Sequence, residues 1–279
     1  MQKSFDVAGP VEVEIRLASG DIRIDPSLDG SVEVDLTGND EESQRLVEEA
    51  EVSLRESHGR PVVYVEVPQK RGFNLNLFGR SGISCRVRCP EGSTVNAKTK
   101  SADVEVSGMI GGLNVATASG EVEADRVDGS VNVKSASGDV EIREVKGSVN
   151  VQTASGDVEV RVVNGGININ SASGDVTIGE AYDNVNVNTV SGDQEHGAVM
   201  RGNVNANSVS GDVTIAVRRG SKVFLDCNTM SGDTSSELEM TGDAPLGDGP
   251  FVEIRAKTVS GDIRITRAPA PNEHQEVHA

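Results

Sequence analysis

Along the middle of the chain, apolar side chains return at fixed places in an 18-residue unit. In the copy running from Ser137 to Ala154, numbered from its Ser, they stand at positions 4, 6, 9, 13 and 15, with a small or apolar residue at 18. Positions 4 and 6, and again 13 and 15, show the period of two that marks a strand with one buried face. Each unit therefore reads as two short strands, here Val140 to Ile142 and Val149 to Val151. Gly147 and Ser155-Gly156-Asp157 supply turn residues between them. Copies start at Ser101, Ser119, Ser137, Ser155, Ser173 and Ser191, each 18 residues after the last, and then at Ser210, Ser231 and Ser260 as the spacing loosens.

One such unit cannot bury its own Val and Ile residues. Stacking equivalent positions of successive units ~4.8 Å apart builds a continuous core and pairs the backbone. The pattern thus predicts an all-β fold, a parallel β-helix (β-solenoid) of about 18 residues per coil. Left-handed hexapeptide helices require an apolar residue at every sixth position, which this pattern lacks. Parallel crossovers are overwhelmingly right-handed, so a right-handed coil is expected.

The flanks change the picture at both ends. Val11 to Asp25 already carries the coil pattern, with Val13, Ile15 and Ser19-Gly20-Asp21 in register with later units. Ser31 to Thr37 then reads as a strand, and Asn39 as the cap of a short acidic helix reaching about Ala50. Glu51 to Ser57 and Pro61 to Val67 read as a hairpin turning at His58-Gly59. These pieces predict an N-terminal cap over residues 1–100, closing an end that would otherwise expose strand edges. Regular coils follow over 101–217, wider coils over 218–268, and a tail rich in Pro, Ala, Glu and His over 269–279 that reads as disordered.

Composition narrows the function. The chain has 279 residues, no Trp and a formal net charge of −18, which argues against nucleic-acid binding and favours a cationic partner. Met1 to Val11 has no apolar run of signal-peptide length, and no window approaches the length of a membrane span, so the expected location is cytoplasmic or membrane-proximal. The three cysteines, Cys85, Cys89 and Cys227, form an odd set and read as small buried hydrophobes.

Four features are candidate sites. The segment Gln69 to Ser81 is locally basic and holds two of the five Phe residues. Lys70, Arg71, Phe73, Phe78 and Arg80 could there contact a partner or a membrane surface; the plainer reading is a flap over the solenoid end. Outward acids at positions 3 and 5, including Asp139, Glu141, Asp157, Glu159 and Asp175, would recur along the stack closely enough to share Ca²⁺ or Mg²⁺. Against this stands a reading in which each Asp bonds its own turn and the Glu residues are solvated. Asn96, Asn114, Asn132, Asn150, Asn168, Asn186 and Asn205 form a position-14 amide column, suited to stacking reinforcement or to a flat sugar-binding face. Finally, Gln194 and His196 stand where neighbouring units have Val176/Ile178 and Val213/Ile215. Such a break marks a candidate site, although a bulge turning both side chains outward would also account for it.

No zinc-spaced cluster, phosphate loop or selected acid pair is present, and catalysis is not expected. The reiterated Ser-Gly-Asp-[Val/Ile]-x-[Val/Ile], the Val-x-Val-x-Thr before it and the closing FVEIRAKTVSGDIRITRA resemble the bacterial putative-adhesin β-strand-repeat family, also called the toastrack domain. The resemblance implies a β-solenoid without known catalytic residues, often linked to cell-envelope stress modules. The combined expectation is a non-enzymatic scaffold that binds a protein partner. A carbohydrate-binding or carbohydrate-active β-helix and a cation-binding surface adhesin are the alternatives.

Overall fold

The computed structural model describes residues 1–57, 59–68, 82–238 and 249–269. The contact-candidate residues Lys70, Arg71, Phe73, Phe78 and Arg80, the hairpin residue His58, and tail residues 270–279 lie outside these. The chain divides into two compact units, Met1–Asp157 and Val158–Ala279.

Unit 1 contains β1 (Gln2–Asp6), β2 (Glu12–Asp25), β3 (Ser31–Gly38), α1 (Glu41–Glu48), β4 (Glu51–Ser57), β5 (Arg60–Glu66), β6 (Ile83–Arg88), β7 (Thr94–Ile110), β8 (Gly112–Ala116), β9 (Val122–Val127), β10 (Val131–Ser135), β11 (Val140–Val145) and β12 (Val149–Ser155). β2 and β7 each form a long strand serving two sides of a coil. They pair in parallel from Glu12↔Thr94 to Ile24↔Val106, with Ser19 opposite Ser101 and Asp21 opposite Asp103. The first coil is therefore in register with the later ones. One side continues from β7 through β8 and β10 to β12, and the other through β9 to β11, all parallel.

The cap is built on the opposite edges of β2. β5 and β6 pair with its two halves in parallel; β4 closes antiparallel on β5, and β3, followed by β1, closes antiparallel on β6. Antiparallel edges end the parallel stack without leaving the edge of β2 bare. The hairpin forms as expected, with Gly59 at φ 73°. The helix cap is Asp40 rather than Asn39. Its carboxylate accepts the Ser43 N–H at 2.6 Å, and that bond holds the Asp40 carboxyl below its usual pKa.

Unit 2 contains β13 (Val158–Val163), β14 (Ile167–Ser173), β15 (Val176–Ala181), β16 (Val185–Ser191), β17 (Gln194–Val199), β18 (Gly202–Ser210), β19 (Val213–Val217), β20 (Lys222–Ser231), β21 (Thr234–Ser236), β22 (Phe251–Ser260) and β23 (Ile263–Arg267). Its strands also stack in parallel, but not in chain order. β22 pairs with β18 on one edge and β20 on the other, while β23 lies likewise between β19 and β21. The last coil in sequence is thus inserted one layer before the end of the stack. Burial follows this order: Val252, Ile254 and Ala256 of β22 are fully enclosed, whereas Val223, Leu225, Cys227 and Thr229 of β20 are half-exposed.

The inward columns at positions 4, 6, 9, 13 and 15 are buried in the coils starting at Ser119, Ser137, Ser155 and Ser173. The structure also assigns the remaining corner. Position 17, occupied by Thr153, Ser171, Thr189, Ser208 and Thr258, points inward, and position 18 points out. In two unit 1 coils the hydroxyl at this position is only half-buried and closes the turn, whereas the buried hydroxyls of Thr153, Ser171 and Ser208 have no protein partner. Thr117 Oγ1 and Ser135 Oγ accept the N–H three residues ahead, at 2.9 and 2.8 Å.

The cysteines divide accordingly. Cys85 and Cys89 are buried free thiols whose pKa values desolvation pushes up to about 12 and about 11. Cys227, read as buried, is half-buried because it belongs to the outermost coil. In the native protein one thiol should react with a thiol-specific reagent well before the other two, and Cys227→Ser should remove that fast phase. Equal rates for all three would contradict this packing.

Candidate functional site

The repeat occupies most of its own polar surface. Asp139 Oδ1 accepts the Asp157 N–H at 2.8 Å, and Asp175 and Asp193 accept those of Asp193 and Asp212 at the same distance. Each of these acids therefore clamps the next coil instead of bonding its own turn. Glu159 engages Arg161 at 3.2 Å, and Glu141 is half-buried. Among the described residues, no group of three or more His, Cys, Asp or Glu converges in a way that could hold a metal ion.

Stacked amides reinforce the opposite strands. In unit 1, Asn114 donates to Asn96 and Asn132 to Asn114, at 2.7 and 2.9 Å. In unit 2, Asn186 donates to Asn168, and a second ladder joins Asn170, Asn188 and Asn207 at 3.1 and 3.0 Å. The second ladder lies at position 16, two residues beyond the column read from sequence.

Gln194 and His196 do not bulge outward. Register places them between Val176/Ile178 and Val213/Ile215, inside the core, each 1% exposed. The bulge comes after them, where register shifts between His196 and Val199. Gln194 Nε2 donates to Thr189 Oγ1 and to the Asn207 carbonyl, both at 2.9 Å. Its Oε1 and both nitrogens of His196 have no protein partner. Burial lowers the His196 pKa to about 4, so the imidazole is neutral at pH 7.

Two outward features of unit 2 depart from the repeat. The first is position 18. Ala118, Ala136, Ala154 and Ala172 stand there in the earlier coils, but the later coils of unit 2 carry Val190, Val209, Val259 and Met230, exposed at 54, 49, 45 and 81%. Strand register, with Ser191 opposite Ser210, Ser210 opposite Ser260 and Ser260 opposite Ser231, brings these four into one row on successive coils.

The second is a cleft of about 740 Å³ on the outer side of β13, β15, β17 and β19. It forms where the repeat loses side chains. Positions 7 and 8 hold Arg143 and Glu144 in one unit 1 coil, whereas the coils beneath the cleft have Gly179 and then Gly197-Ala198. The glycines also permit close backbone approach: a Cβ on Gly179 would lie 2.4 Å from the Arg161 carbonyl oxygen. Apolar atoms of Ala198, Met200 and Pro269 line the cleft together with Tyr182, Arg218 and Arg219. The Tyr182 hydroxyl donates to Glu180 at 2.9 Å. Sequence reasoning missed both features, although the missing side chains at positions 7 and 8 were a readable signal.

A family model described as Toastrack DUF4097 matches residues 11–266. No curated protein matches the chain. Among solved structures, it is similar to one described as a putative lipid binding protein from Parabacteroides distasonis, with 16% identity, a TM-score of 0.46 and 96% of each chain covered. A putative adhesin from Bacteroides fragilis shows 14% identity and a TM-score of 0.45, with 95% of this chain and 96% of that chain covered. A putative adhesin from Parabacteroides merdae shows 11% identity and a TM-score of 0.41 over 96% of each chain.

Proposed function

This chain belongs to the toastrack family, and from that premise we propose that it is a non-enzymatic solenoid scaffold that binds a protein partner along the row Val190, Val209, Val259 and Met230. The observation that carries this reading is the exposure of four consecutive apolar side chains at a position where unit 1 uses alanine. A lone exposed Val needs no explanation, but an aligned row on a fixed surface is costly to leave in water. The Asp clamps and paired amides hold this surface in one conformation, so binding costs little ordering entropy. A net charge of −18 favours a partner with a basic rim around its apolar contact.

Other features support the same reading. Among the described residues the strongly perturbed side chains are Cys85, Cys89 and His196, which are buried in the core, and none of them lines the cleft; a catalytic site would place such groups in a pocket. Among the described residues no helix is long and apolar enough to cross a membrane. The free thiols favour a reducing compartment, and we place the chain in the cytoplasm, near the membrane, within the envelope-stress setting that the family resemblance suggests.

The test is capture of partners by wild type and by a variant with Val190→Thr, Val209→Thr, Met230→Gln and Val259→Thr. The expected result is a protein retained by wild type, released by moderate salt and lost at least tenfold in the variant at unchanged Tm. The same proteins retained equally by both would remove the proposal.

A further inference from the structure

The cleft over β13, β15, β17 and β19 lies apart from the apolar row and has a different chemistry. Its volume of about 740 Å³ falls in the range of small-molecule sites. Its lining is largely aliphatic, from Val162, Ala198, Met200, Ala268 and Pro269. Its charged groups are not equivalent. Arg161 is bonded to Glu159, and Glu180 accepts from the Tyr182 hydroxyl. Arg218 and Arg219, adjacent in the turn after β19, have no carboxylate partner among the described residues, although the protein carries an excess of acids. Glu195 is the remaining carboxylate of the lining.

An apolar hollow beside two adjacent guanidinium groups that no described carboxylate pairs suits a ligand with an apolar body and an anionic head. Arginine offers forked donors that match carboxylate and phosphate oxygens, and such bonds strengthen beside apolar surface, where water competes poorly. We propose that this cleft binds a single-chain amphiphile with an anionic head group, the chain lying over Gly179, Gly197 and Ala198 and the head engaged by Arg218 and Arg219. The two glycines keep the floor of the site closely packed, since a Cβ on Gly179 or Gly197 would lie 2.4 or 2.8 Å from a backbone oxygen of the neighbouring coil.

Isothermal titration with decanoate, decyl phosphate, decanol and acetate tests this, each below its aggregation concentration. Saturable binding of one decanoate or decyl phosphate per chain is expected, and the tighter of the two identifies the head group as carboxylate or phosphate. Decanol and acetate should bind at least tenfold more weakly. Arg218→Glu/Arg219→Glu should weaken the anion at least tenfold, and Ala198→Trp, which fills the cleft, should abolish binding while the wild-type Tm is retained. If Ala198→Trp lowers Tm, Ala198→Leu serves as the milder block, with a graded loss expected. No saturable binding of either anion, equal binding of decanol, or unchanged affinity in the arginine variant would each overturn the proposal. The row variant described above should bind decanoate normally, which separates this proposal from partner binding.

Discussion

Replacing Gly192 by alanine is expected to destabilise the protein by about 3–5 kcal/mol, as the sum of backbone strain and overpacking. Gly192 has φ +129°, a conformation that L side chains rarely adopt, and a Cβ built there would lie 2.2 Å from the Gly174 carbonyl oxygen. Neither side can retreat. Gly174 donates to the Ser191 carbonyl and Gly192 to the Ser210 carbonyl, so the turn is fixed on both edges by neighbouring coils. Gly166 supplies the control: its added Cβ would meet nothing closer than the Asn184 carbonyl oxygen at 3.8 Å. Gly166→Ala should stay within about 1 kcal/mol of wild type. Denaturant unfolding measures both, and a loss below 1 kcal/mol for Gly192→Ala would show that the turn can relax.

The second large effect has the opposite sign. Gln194→Val with His196→Ile restores the apolar columns on either side and removes three buried polar atoms that lack a protein partner. Replacing such groups by apolar side chains of similar shape should stabilise the fold by about 2 kcal/mol or more. The gain should also depend on pH. The folded pKa of His196, about 4, lies below its unfolded value of 6.5, so the unfolded chain takes up the proton first. The neutral imidazole's contribution is complete above pH ~6.5 and is lost as pH falls towards ~4, a difference of about 3 kcal/mol over that window. Wild type should therefore lose stability faster than the double variant between these pH values. Parallel curves would mean that the imidazole is already hydrated or protonated in the folded state.

The repeat itself was legible because its strands alternate strictly: Val140 and Ile142, or Val149 and Val151, can face only one way once the period is known. The corner at positions 17 and 18 was left without a facing, because position 18 is small or apolar while position 17 carries a hydroxyl. Counting on from 13 and 15 points Thr153 inward, and the structure buries its hydroxyl without a protein partner, while the half-buried hydroxyls of Thr117 and Ser135 close their turns. Gln194 and His196 stood out as a break in the pattern, but the outward bulge that would account for them does not form. Their polarity argued for water, whereas the register of neighbouring strands held them inside. The order of the last coils was not readable from pattern alone, because Lys222–Ser231 and Phe251–Ser260 carry the same alternation and either could end the stack. The row was hidden because a small or apolar residue at position 18 does not by itself say which way it faces.

The scaffold account rests on Val190, Val209, Val259 and Met230 touching the partner, and site-specific photo-cross-linking tests that contact directly. A photoreactive side chain at position 209 should yield a covalent adduct with the captured protein. The same group in place of Arg264, exposed on the other strand of its coil, should not. Adducts from position 264 with none from position 209 would place the partner elsewhere and contradict the account.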